Sequence, residues 1–332
     1  QERAISKRKL RKTMIKLAFI EDDIREGSGH KYLELFRRVA EVDCYDLDQE
    51  FEILEYDGIL VRGDRQTSYK VALENNKPYI LIEDDVHSMR SGVPNDQEKE
   101  MIENAVGVLF TADSHYEYCK QFYAIPPHEI VRLKPLAKDI KFTPKPKLDS
   151  RHCVYAGNYL GKEHSETAWS YRYNLPVFQR VIDAGFLVHL YPSHPRHISN
   201  REYRMIGCII HERVPNSKLY QELSQYNFGL QVFNILNPET PLGMEGYHYG
   251  QTAEPNKGWE YLGAGIPTLG INGGLAPKYY EGKWGHNIMD TDPKSIQEAV
   301  KYIMSLDLND NLRKSQTMDA DQDKFARLVG LL

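Results

Sequence analysis

From Met14 onward the chain repeats one pattern, a short run that is apolar nearly from end to end followed by a longer amphipathic stretch. MIKLAFI, YDGILVRG, PYILIEDD and VLFTA are such runs, with DCYDL and EIVRLKPLA as further strands. GHKYLELFRRVAEV, TSYKVALENN, EKEMIENAVG and SHYEYCKQFY read as the helices among them. A strand that is apolar at every position has no face to give to water. It belongs in a parallel sheet covered by helices on both sides. The alternation therefore predicts a doubly wound α/β domain over residues 14–140.

The pattern then stops and restarts. KDIKFTPKPKLDSRH holds two prolines, five Lys or Arg and no apolar period, and reads as a linker centred on residues 141–151. Beyond it HCVYAGNY, FLVHLYP, part of MIGCIIHERV, NFGLQVFN, IPTLGI and HNIMD read as strands. TAWSYRYNLPVFQRVIDAG, interrupted by Pro176, NSKLYQELSQY, PNKGWEYLGAG and PKSIQEAVKYIMSL read as helices. This predicts a second Rossmann-like domain over 152–312. A tail at 313–332, helical in its last part, is placed to pack back on the first domain. With 332 residues the chain is too long for one core of ordinary size, in keeping with two domains. Ligands of such sheets bind beyond the carboxyl ends of the strands, so a site is expected where the two domains face each other across a cleft.

Composition removes several classes. No apolar run approaches the roughly 20 residues of a membrane span, and no apolar signal core is visible near the start, so the chain reads as cytoplasmic. Cys44, Cys119, Cys153 and Cys208 are scattered, with no metal-binding or disulfide spacing. A formal net charge of −5 argues against a surface built wholly for nucleic acid. The local exception is residues 1–13, QERAISKRKLRKT, with six Lys or Arg against one Glu: a solvated leader or an arm for a polyanion.

The stretch EPNKGWEYLGAGIPTLGINGG, residues 254–274, carries the most chemistry. Asn256 is a candidate cap, and Gly265 and Pro267 supply a stop, which leaves a helix of two or three turns. Unpaired N–H groups at its start make an anion site, Gly258 gives a phosphate room to approach the backbone, and Lys257 adds a charge. Lys257 and Glu260 stand three apart and share a face. That spacing suits a surface ion pair on a helix packed by Trp259 and Leu262. It equally suits a grip on a nucleoside diphosphate, with Lys257 on phosphate and Glu260 accepting hydrogen bonds from the ribose hydroxyls.

PNKGWEYLGAGIPTLG resembles the signature near the end of GT-B glycosyltransferases, specifically a glycosyltransferase family 4-like C-terminal domain. TADSHYEYCKQFYAIPPHEIVRLKPLA, VYAGNYLGK and HERVPNSKLYQELSQYNFGLQVF are similar to other family segments, in the family's order. The resemblance implies two Rossmann-like domains and a nucleotide-sugar donor, a UDP-sugar first. Glu260 would hold the donor ribose, Lys257 and the Gly258 amide the phosphates with Lys162 as a further contact, and the backbone at Arg213 and Val214 would border the base. It also implies stabilisation of the departing diphosphate by helix dipoles and basic side chains, so no metal and no tightly bound cofactor are expected. One departure stands out: many retaining members carry a second glutamate eight residues before the ribose glutamate, where this chain has Thr252, with Glu254 the nearest acid. Residues 243–248, GMEGYH, are then a donor-side loop or an ordinary surface loop.

A base for the acceptor proton is sought at the end of PYILIEDDVH, where Asp84, Asp85 and His87 follow a strand; the alternative is an ordinary turn. Arg62 and Arg65 follow another strand and could meet an anion or pair with acids. Ser28, Gly29 and His30 open the first helix as a candidate acceptor loop. Trp169, Tyr171 and Tyr173 could stack on a sugar or base with Arg172 near phosphate, or simply pack. The reading that emerges is a nucleotide-sugar glycosyltransferase whose acceptor is a modified DNA base or a saccharide. A sugar-nucleotide epimerase of the same shape and a non-catalytic nucleotide- or carbohydrate-binding protein are the alternatives.

Overall fold

The computed structural model describes residues 14–20, 29–45, 52–63, 66–84, 86–164, 170–192, 200–233, 255–272 and 277–332. Its strands are β1 (Lys16–Ile20), β2 (Glu41–Tyr45), β3 (Gly58–Arg62), β4 (Tyr79–Glu83), β5 (Gly107–Phe110) and β6 (His128–Ile130), then β7 (His152–Ala156), β8 (Leu187–Tyr191), β9 (Ile209–Ile210), β10 (Phe228–Val232), β11 (Thr268–Ile271) and β12 (Gly285–Ile288). They form two six-stranded sheets, ordered β2-β1-β3-β4-β5-β6 and β12-β11-β10-β7-β8-β9. Neighbouring strands pair in parallel, as in Ile80↔Gly107 and Val154↔His189. The fully apolar strands required this. β4 and β10 are buried along their whole length, with Leu17, Phe19, Leu60, Ile80 and Leu109 on one face of the first sheet and Ala18, Ile59, Val61, Leu81 and Val108 on the other.

Several boundaries differ from the sequence pattern. The first helix ends at Phe36 and β2 begins at Glu41, because Glu41 N–H donates to Ile15 O and draws that segment into the sheet. Pro176 does not interrupt a helix but stands in the first turn of Leu175–Asp183, where a missing N–H has no partner to lose. β6 stops at Ile130, well short of EIVRLKPLA.

The helix Gln322–Val329 lies on the first sheet rather than the second. Phe325 meets Phe36 edge-on at 4.8 Å, and Lys324 Nζ donates to Ile130 O at 2.7 Å. Where the halves meet, Arg132 Nη2 donates to the Tyr279 hydroxyl at 2.6 Å, and that hydroxyl donates to Asp113 at 3.0 Å.

Candidate functional site: a pocket at the second switch point

Counting from β7, the second sheet has the Rossmann order 3-2-1-4-5-6, so its chain direction reverses between β7 and β10. That reversal splays the following loops apart and opens a crevice beyond the carboxyl ends. A cavity of about 340 Å³ lies there, lined from β7 and its loop by Tyr155, Ala156, Gly157 and Asn158, and from β10 by Val232 and Phe233. Tyr171, Arg172, Pro255, Asn256, Lys257 and Glu260 are the other described residues of the wall.

One buried side chain fixes the helix Lys257–Gly263 over this crevice. Tyr261 is fully buried; its hydroxyl donates to Leu230 O at 2.8 Å and accepts from Ala156 N–H at 3.1 Å, bridging β10 and β7 at the reversal. Its ring lies so close to the backbone of Gly229 that a Cβ there would fall 2.3 Å from it. Glu260, the preceding residue, is thereby aimed toward the pocket. Lys257 extends along Gly157 with its ammonium 5.1 Å from the Tyr155 ring centre. Burial, and secondarily the Arg172 guanidinium, pushes the Lys257 ammonium down to about 8, with Glu260 opposing.

The sequence expectations divide on this geometry. Lys257, Glu260 and Asn256 share the pocket, and Tyr171 and Arg172 join them. Among the described residues the salt-bridge partner of Glu260 is Lys31 at 3.9 Å, not Lys257. Lys31 comes from the first half, on the helix Gly29–Phe36, and also donates to the Tyr220 hydroxyl at 3.4 Å. The Asn256 side chain makes no capping bond; Asn256 is already helical and its carbonyl accepts from Trp259 and Glu260. Gly258 is buried, and a Cβ would point at Gln231 Oε1, 3.1 Å away, and at Tyr280, so interior packing explains this glycine.

Lys162 is exposed outside the pocket wall, its N–H donating to Glu202. Arg213 and Val214 follow β9 and also lie outside the wall, with Val214 packed against the cluster that contains Tyr191 and Tyr226. The Asp84 side chain is 7% exposed and ion-paired with Arg62 at 2.7 Å, so Arg62 serves that carboxylate. His87 has an exposed side chain, and its N–H donates to Glu98 Oε1 at 2.6 Å. Glu98 thus holds the start of the short helix His87–Ser91. Asp85, Arg65, Trp169, Thr252, Glu254, the loop 243–248 and residues 1–13 lie outside the described residues.

Sequence reasoning passed over Gly157, Tyr155 and Lys31. A glycine directly after a strand end was a visible signal for Gly157, whereas Lys31 offered none, since its importance comes from a contact 229 positions away.

No known protein-family profile and no curated protein matches the sequence. Solved structures do. A sucrose-phosphate synthase from Thermosynechococcus elongatus superposes with a TM-score of 0.66 at 12% identity, over 95% of this chain and 98% of that one. The DNA-modifying enzyme beta-glucosyltransferase, studied with and without uridine diphosphoglucose, gives 0.52 at 13% over 95% and 100% of the chains. A UDP-GlcNAc 2-epimerase from Methanocaldococcus jannaschii gives 0.54 at 11% over 96% and 99%. The two parallel six-stranded sheets with their helices match these structures: the chain has the GT-B fold of glycosyltransferases.

Proposed function

We propose that the chain is a glycosyltransferase that moves a sugar from a nucleoside diphosphate sugar, a UDP-sugar first, to an acceptor hydroxyl. The supporting observation is the pocket at the second switch point, which among the described residues combines the cations Lys257 and Arg172 with the carboxylate Glu260. A diphosphate leaving group needs cations, and vicinal ribose hydroxyls need an acceptor of two hydrogen bonds. The cavity volume falls in the range of small-ligand sites.

In this reading Lys257 and Arg172 meet the diphosphate, Glu260 the ribose, and the backbone at Arg213 and Val214 the base. The acceptor oxygen bonds to the anomeric carbon, the bond from that carbon to the diphosphate oxygen breaks with its electron pair leaving on the diphosphate, and a base takes the acceptor proton. Asp85 and His87 are the first candidates for that base, since the Arg62 guanidinium already holds one Asp84 oxygen. The acceptor is a modified base in DNA or a saccharide hydroxyl; the fold likeness to a DNA-modifying glucosyltransferase supports trying DNA first.

The likeness to an epimerase favours one second reading, conversion of the sugar nucleotide itself. The test is incubation with UDP-glucose and UDP-GlcNAc, with and without hydroxymethylated DNA or oligosaccharides, followed by product analysis. Acceptor-dependent release of UDP is expected, unchanged by a chelator, and an epimerised sugar nucleotide without acceptor would establish the second reading instead. A nucleotide at a hundred times its dissociation constant adds about 2.7 kcal/mol of stability. Absence of any thermal shift with UDP, ADP, GDP or their sugars would remove both.

A further inference from the structure

We infer that Gly157 is a positioning residue for Lys257: its bare α-carbon is the surface against which the lysine tip rests in the pocket. The inference rests on the proposed reading for its consequence, but the contact itself does not. A Cβ at position 157 would lie 2.4 Å from Lys257 Cε, 2.9 Å from its Nζ and 3.6 Å from the Tyr155 ring. The lysine tip, Tyr155 and Gly157 line the same pocket. No side-chain-bearing residue fits at 157 with the ammonium where it is.

The clash involves the free end of a flexible side chain, so the ammonium moves and the sheet does not. Glu260, three residues on and sharing its helix face, is the nearest acid of that helix for a displaced ammonium to pair with. A methyl group at 157 therefore removes the cation from the phosphate position and draws it toward the proposed ribose carboxylate. Gly157 also has φ of +154°, which disfavours other residues by backbone conformation alone. The test must separate these two reasons.

The experiment is a double-mutant cycle with Gly157→Ala, Lys257→Met and the double variant, read by binding of UDP and of uridine. Each single change is expected to weaken UDP by at least about tenfold, the loss of a charge-assisted hydrogen bond, and uridine by much less. The double variant should be no weaker than either single one. Additive losses, or equal losses for UDP and uridine, would overturn the inference. Lys257→Arg, with Gly157 intact, keeps the charge but brings a broader head, and is expected to lose UDP affinity as well; wild-type affinity there would also overturn it.

Titration of the lysine Cε resonances needs no ligand. The Lys257 signal should titrate near 8 in the native chain and move up in Gly157→Ala. An unchanged titration refutes the contact even if nucleotide binds. If the native chain binds no nucleotide, the proposed function fails while the titration still decides the role of Gly157.

Discussion

At the scale of residues, the site turns on how Lys257 and Glu260 are used. The side-chain geometry separates them: Lys257 turns back toward Gly157 and Tyr155, while Glu260 meets Lys31 from the other half. An ammonium pushed down to about 8 by burial is charged below that pH and neutral above it. A bound diphosphate favours the charged form and raises the ammonium's pKa in the complex. UDP affinity is therefore expected to be level from pH 7 to 8 and to fall above 8, by up to about tenfold per pH unit. Calorimetry across about pH 7.5 to 9.0, where the diphosphate is fully ionised, checks this, with uridine as the control for ionisation of the uracil ring. Lys257→Met should give a flat, weak profile, whereas Glu260→Ala should lower affinity at every pH and keep the break. A profile in Lys257→Met that still breaks near 8 would assign the titration elsewhere. Lys257 and Glu260 were legible because helical spacing is written in the sequence. Gly157 was signalled only by its place directly after a strand end, and Lys31 not at all, because their roles are distances between segments far apart in the chain.

At the scale of elements, three neighbouring strands contribute a row of imidazoles. His152 Nδ1 lies 2.8 Å from His189 Nε2, and His189 Nδ1 lies 2.8 Å from His211 Nε2, linking β7, β8 and the residue after β9. Each such contact needs one N–H and one lone pair, so the protons must all point one way along the row. Asp149 Oδ2 is 3.6 Å from His152 Nε2 and favours an N–H at that end, with the Tyr226 hydroxyl 3.3 Å from both His189 and His211 at the other. Burial, then the neighbouring His211 and His152, pushes His189 down to about 4; His211 is also lowered, chiefly by burial, with Glu222 opposing and Lys145 adding. The unfolded chain thus binds protons below about pH 6.5 that the folded chain refuses until about 4. Stability is present above 6.5 and is lost as pH falls through this window, by about 3 kcal/mol from His189 alone. Urea unfolding at pH 7 and pH 4.5 measures the loss. His189→Gln should flatten much of the slope, and an equally steep slope in that variant would place the titration in other groups. None of this was visible beforehand, since positions 152, 189 and 211 show no local motif and only strand order makes them neighbours.

At the scale of the whole molecule, the alternation of apolar and amphipathic runs was enough for both sheets, because full burial of a strand leaves few architectures. It did not fix strand order, which decides where the pocket opens, and the pocket's position follows from the reversal between β7 and β10. Nor could it show how firmly the tail belongs to the first half. Phe325 is completely buried against Phe36, and Leu328 and Leu331 abut Gly107 while Leu332 abuts Gly58, where any side chain on the glycine would collide. Arg327 pairs with Glu129 and Arg38 with Asp319 along the same seam. The tail is thus part of the first domain's core although it follows the second in sequence. Phe325→Ala removes a buried ring and is expected to cost about 3 to 5 kcal/mol. All three tryptophans, Trp169, Trp259 and Trp284, lie in the second half, so their emission reports that half while amide exchange in β5 and β6 reports the first. In the variant, exchange protection in β5 and β6 should fall and their loss should precede the change in tryptophan emission during urea unfolding. Native protection in those strands would mean that the first sheet holds without the tail. A simultaneous loss in both signals would mean that the contacts of Arg132, Asp113 and Tyr279 bind the halves into one cooperative unit.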